Sequence, residues 1–153
     1  MRKDHVLTCI IRPALQLLPE AMRSNEAELM LLAIGYQESK FTYRRKLGGP
    51  AKGFWQFEEG GVRAVLNHHR VGRDAEAVLH ELEWCRNPIG VYQSLEWGDL
   101  IACCLARLLL YADPHPLPNP LEHPEEAWKY YTRTWRPGKP RREHWNATLE
   151  FVR

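Results

Sequence analysis

The chain predicts an all-α fold, and three observations carry that prediction. Apolar residues recur at spacings of three and four along most segments, the period of one helix face. Helix-start residues such as Asn25, Asp74 and Asp99 stand ahead of these runs, and Gly- and Pro-rich clusters follow several of them. No hairpin signal stands out except around 48–57, a stretch that opens with Gly48 and Gly49.

Taken in order, the first helix is predicted over 6–18, with Val6, Cys9, Ile10, Ala14 and Leu17 on its apolar positions. Pro13 should bend or break it. Asn25 with Glu28 three residues later reads as a capping box opening a second helix. Residues 29–34 are apolar all round, so that helix should be buried. The run Gly48-Gly49-Pro50-Ala51-Lys52-Gly53 cannot continue it, and either a small β-hairpin or an irregular loop is expected over about 44–57.

Short helices follow over 61–69, over 74–85 with Asp74 as N-cap, and over 88–95 with Pro88 near the start. Asp99 should cap 100–111, a central core helix whose one charged residue is Arg107. Four of the eight residues from 113 to 120 are proline, which requires a rigid extended loop. Residues 125–135 and 141–151 complete the helices. With 153 residues and no internal repeat, one domain spanning 1–153 is expected.

Composition narrows the function classes. Hydrophobic residues make up 44% and charged residues 26%, which excludes general disorder. A net charge of +2 mildly favours an anionic partner without demanding nucleic acid, and none is expected. The cationic residues gather in two places, Arg44, Arg45, Lys46 and Lys52 in the first and Arg133 to Arg142 in the second. The first, close to Glu38, is placed to meet an acidic substrate; the second reads as a solvated rim.

Cys9, Cys85, Cys103 and Cys104 show no metal-ligand spacing and read as reduced core residues. Neither a metal nor a cofactor is expected. The apolar stretch near the N-terminus is interrupted by Arg12 and Pro13, too soon for a signal peptide or a membrane span. A monomer made in the cytoplasm is the expectation.

Glu38 breaks the pattern of the second helix. Ala27, Leu31, Ile34, Glu38 and Phe41 share one face, and four of these five are core types. A buried carboxyl takes up a proton, finds a partner or lines a cleft. A raised pKa is what a general acid needs near neutral pH. The structural alternative is an acid paired with Arg44 or Arg45.

The segment Gln37-Glu38-Ser39-Lys40-Phe41, followed by Gly53-Phe54-Trp55-Gln56-Phe57, resembles the signature of lysozyme-like lytic transglycosylases of the soluble-lytic and goose-type group. The matched spacing runs from Gly35 to about Gly60, and the chain as a whole is similar to small phage- and prophage-encoded members. The resemblance implies a lysozyme-like helical domain that cuts the MurNAc–GlcNAc β-1,4 bond of peptidoglycan strands. It implies Glu38 as general acid and base, with Ser39 and Gln56 holding carboxylate or sugar, and Phe54 and Trp55 as an apolar wall. Those two replace the family's smaller Leu-Met pair. The substrate's own N-acetyl group stands in for a second carboxylate, giving a 1,6-anhydro product.

The family's later tyrosine motif has no clean counterpart. Tyr111, Tyr130 and Tyr131 are the candidates, with Tyr131 carried forward as substrate-binding and core filling as the competing reading. Glu58 or Glu59 is either a solvated loop charge or a second carboxylate, and Asp99 reads first as an N-cap. Action on the periplasmic wall would follow release from the cell or packaging in a virion. Two other functions compete: an inactive glycan-binding or virion structural module of the same fold, and a nucleic-acid-binding helical protein using 133–142.

Overall fold

The computed structural model describes residues 1–45 and 48–153; Lys46 of the first basic cluster and Leu47 of the predicted loop lie outside the described residues. Every named element among the described residues is helical. The N-terminal segment comprises α1 (Lys3–Val6), a π-helical turn (Leu7–Ile11) and α2 (Arg12–Gln16). A 3₁₀ turn (Glu20–Met22) leads into α3 (Asn25–Ser39). Then come α4 (Glu59–Leu66), α5 (Gly72–Glu81), α6 (Pro88–Ser94) and α7 (Asp99–Ala112). The chain finishes with α8 (Pro124–Trp135), a 3₁₀ turn (Arg142–His144) and α9 (Trp145–Val152).

The π turn lies just before the first turn of α2, which contains Pro13. Proline lacks an N–H and its ring crowds the preceding turn, so a widened turn takes the place of the expected break. Several helix starts differ from the sequence reading. The N-cap of α3 is Ser24, whose Oγ accepts from Ala27 N at 3.1 Å, and Glu28 instead receives Arg12 Nε at 3.0 Å. Gly98, not Asp99, is the N-cap of α7, and Val71, not Asp74, that of α5. In α5 and α7 the carboxylate expected to cap lies within the first turn, where the helix dipole still favours it.

Helix α7 is the centre of the molecule. Its residues from Ile101 to Leu108 are all buried, and it packs against α2, α3, α4 and α5. Helix α3 packs on α7 through one side and on α9 through another. That double contact explains why α3 is apolar around most of its circumference.

The 44–57 region is an irregular loop with isolated antiparallel bridges, Arg45 to Lys52 and Lys52 to Phe57, and no strand among the described residues. Lys52 and Phe57 exchange both backbone hydrogen bonds at 2.9 Å. Gly53 at its centre has φ +74°, and a Cβ there would stand 2.5 Å from the Leu95 carbonyl oxygen. Glycine alone fits that approach.

The cysteine expectation is half overturned. Cys103 and Cys104 are buried in α7, whereas Cys9 and Cys85 are exposed; all four are free. Cys9 falls on the outward side of the first helical segment and Cys85 in the turn after α5. Burial pushes the Cys104 thiol up to about 12, so it stays protonated and behaves as a small apolar group. Among the described residues no helix is long and apolar enough to cross a membrane.

Candidate functional site

Helix α3 ends abruptly, and that ending positions Glu38. Lys40 and Phe41 both take left-handed backbone angles, φ 55° and 49°. Two such non-glycine residues in succession cost on the order of 1 kcal/mol each. Ser39 offsets the cost: its Oγ donates to the Gly35 carbonyl at 2.9 Å and accepts from Phe41 N at 3.1 Å. The reversal tucks Phe41 against Gly35, where a Cβ would lie 2.4 Å from the Phe41 ring. Phe41 then meets Phe54 and Trp55 edge-on, at centroid distances of 5.5 and 5.9 Å.

This packing relocates three expected site residues. Ser39, Phe54 and Trp55 are 3%, 3% and 0% exposed. None of them lines the cleft next to Glu38. Trp55 spends its indole N–H on the Leu31 carbonyl at 2.9 Å. The bulky Phe-Trp pair is thus core that supports the loop, and Ser39 is the clamp on the helix end.

Glu38 itself is half-buried and lines a cleft of about 1050 Å³. Tyr131 of α8 donates its hydroxyl to Glu38 Oε1 at 2.6 Å. The tyrosine is 2% exposed and stacks parallel on Trp145, ring centroids 5.9 Å apart. Burial and then the adjacent Glu38 carboxylate raise the Tyr131 pKa, so it remains a protonated donor. Tyr131 therefore touches the carboxyl from behind instead of lining the cleft as a substrate contact. The neighbouring Tyr130 points elsewhere and donates to the Leu110 carbonyl at 2.8 Å.

Gln56 does line the cleft. Its backbone is left-handed, φ 50°, and its Nε2 is committed to the Gly53 carbonyl at 2.8 Å. Of the carboxylates considered as second groups, Glu58 lines the cleft. Glu59 pairs with Arg63 within α4 at 2.7 Å, and Asp99 is held by both Arg44 Nη atoms, one at 2.7 Å.

The described members of the two basic clusters depart from their expected roles. Arg44 is taken by Asp99, while Lys52 and Arg45 both reach Glu96, at 3.2 and 3.9 Å. Neither Arg44 nor Arg45 pairs with Glu38. Arg136, Lys139 and Arg141 of the second cluster instead line the cleft wall opposite the loop, and none has a carboxylate partner among the described residues. Burial and then the Arg141 charge lower the pKa of the Lys40 ammonium, whose Nζ is buried with no hydrogen-bond partner among the described residues. Positive charge is in excess on this side of Glu38.

Sequence reasoning missed Trp135, which is half-buried in the cleft wall and donates its indole N–H to the Trp55 carbonyl at 3.1 Å. Its position at the end of α8, before Pro137-Gly138, was the available signal: a large ring where a helix stops. Among the described residues no group of His, Cys, Asp and Glu is arranged to hold a metal ion. Compared with family models, curated proteins and solved structures, the chain matches none.

Proposed function

We propose that the protein cleaves the β-1,4 bond between N-acetylmuramic acid and N-acetylglucosamine in peptidoglycan, with Glu38 as general acid and then base. The observation that carries the proposal is the Tyr131–Glu38 hydrogen bond at the wall of a cleft large enough for several sugar rings. A carboxyl fixed by a buried phenol at the edge of an open cleft suits proton transfer to a bound ligand, since its orientation is set before binding.

In this reading Glu38 gives its proton to the departing glycosidic oxygen as the bond breaks. The oxocarbenium-like sugar is stabilised by its own N-acetyl oxygen. Glu38 then accepts a proton either from a sugar hydroxyl that closes a 1,6-anhydro ring or from water. Tyr131 is a positioning residue, Trp135 offers a ring face to a sugar, and Gln56 borders the same space. Arg136, Lys139 and Arg141 attract the free carboxylates that peptidoglycan carries on its stem peptides. Neutral chitin lacks them. Such an enzyme would reach the periplasmic wall after release from the cell or as part of a virion.

Purified sacculi should be cleared by the wild type and left intact by Glu38→Gln. Clearing that survives the substitution sinks the role given to Glu38. Sacculus binding by the wild type without any product would instead favour the inactive glycan-binding module. Mass spectrometry of the products separates the two chemistries, because the anhydro product is one water lighter.

A further inference from the structure

Arg107 is the charged residue in the middle of α7, and it is 5% exposed. A guanidinium in such a place normally has a carboxylate beside it. Here its one hydrogen bond among the described residues runs from Nε to the Met22 carbonyl oxygen at 2.8 Å. Two carboxylates border the same space as Arg107: Asp113 is already held by Arg133 at 3.0 and 3.2 Å and by His115 at 2.8 Å, and Glu26 makes no ion pair with Arg107.

Arg107 borders a pocket of about 430 Å³, and its two Nη groups make no hydrogen bond among the described residues. The start of α3, the end of α7 and the proline loop after it line this open pocket. Arg70, from the turn between α4 and α5, borders it too. Both guanidinium groups lie over the Tyr111 ring, at 5.3 Å for Arg70 and 5.2 Å for Arg107. Two cations thus converge on one tyrosine, and the more buried of them lacks an anionic partner.

We infer that this cavity is a binding site for a small organic monocarboxylate, received in the planar fork of Arg107 with Arg70 at its entrance. A bidentate carboxylate satisfies both the charge and the in-plane donors of a guanidinium. The volume suits a compact molecule. Glu26 and Asp113 also border the cavity and disfavour a dianion such as phosphate. Tyr130 and Leu117 supply apolar wall for the organic part. The site is separate from the Glu38 cleft and does not depend on the glycosidase reading: Leu110 borders this cavity, its neighbour Leu109 the other.

Acetate and benzoate, titrated against the whole protein at constant ionic strength with chloride as balance, test the inference. NMR would follow the Arg107 Nε–H signal and the amides of 111–117. Saturable shifts of these signals with both carboxylates are expected, stronger with benzoate. Arg107→Met should abolish saturation, and Arg70→Ala, an exposed change that leaves folding intact, should weaken it several-fold. Shifts no larger than with chloride, or unchanged in Arg70→Ala and Arg107→Met, overturn the site. Tighter Arg107-dependent binding of inorganic phosphate than of acetate overturns the ligand class.

Discussion

Glu38 in α3 and Arg107 in α7 occupy comparable positions and meet opposite fates. Each is a charged side chain set into an apolar helix of the core. Glu38 lies one residue before the end of its helix, so its carboxyl reaches a wide cleft while Tyr131 grips it from the buried side. Arg107 lies five residues before the end of its helix and stays buried, with a neutral carbonyl as its one hydrogen-bond partner among the described residues. A charge near a helix end can be supported from inside and offered to solvent at once. Deeper in a helix, it needs a counter-charge, and where the fold provides none the vacancy suits a ligand.

The largest effect should separate the two regions outright. On the proposed function, Glu38→Gln should lower wall-cleaving activity by about 10²–10⁴-fold, the usual contribution of a general acid, with little change in melting temperature. Arg107→Met should leave that activity unchanged. Digestion of labelled sacculi by both variants checks the pair, and equal losses would erase the distinction between the sites.

Next in size is Tyr131→Phe. Removing a donor to a charged acceptor costs about 1.5–3 kcal/mol and takes away the phenol that orients the Glu38 carboxyl. Denaturant unfolding should register the loss, and kcat should fall more than KM rises. A variant with altered stability and unchanged kcat would make Tyr131 a purely structural partner.

Asp113, beside the Arg107 cavity, gives a pH signature. Burial pushes its carboxyl up, and the hydrogen bonds from Arg133 and His115 more than reverse this, leaving it at about 2. The folded value is below the unfolded one, so its stabilisation is present above about pH 4 and lost as pH falls towards 2. Asp113→Asn should flatten acid unfolding curves in that window. The Glu38 region should be insensitive to the change.

The smallest effect concerns the cleft rim. Replacing Arg136, Lys139 and Arg141 together with alanine should reduce turnover of intact sacculi several-fold at low salt. It should leave cleavage of sacculi whose free carboxylates have been converted to amides much less affected. High salt should erase the difference, because exposed charges are screened beyond about 10 Å at 0.1 M.

Glu38 was legible because one acid in an apolar stripe is a local irregularity, and Arg107 stood out in the same way. The helices were legible for a related reason, since periodicity and breakers act over a few residues. Helix starts were less so: Ser24, Gly98 and Val71 replaced the expected caps because several polar residues crowd each start and tertiary partners choose among them. The Phe54-Trp55 pair was misplaced for the same reason. Sequence shows that rings are adjacent to a candidate acid, while the turn at Lys40 and Phe41 decides which way they face.

By itself, the sequence determined that this chain is helical, that α3 and α7 form its interior, and that Glu38 and Arg107 are out of place there. Those are consequences of periodicity and of the cost of burying charge. Only the tertiary structure decided which partners those charges receive. Tyr131 lies 93 residues from Glu38 in the chain, and Met22 lies 85 from Arg107. It also decided that Asp99 and Glu96 pair with Arg44, Arg45 and Lys52, while Arg136, Lys139 and Arg141 border the cleft. Pairing across such separations depends on how helices pack, which no local pattern records.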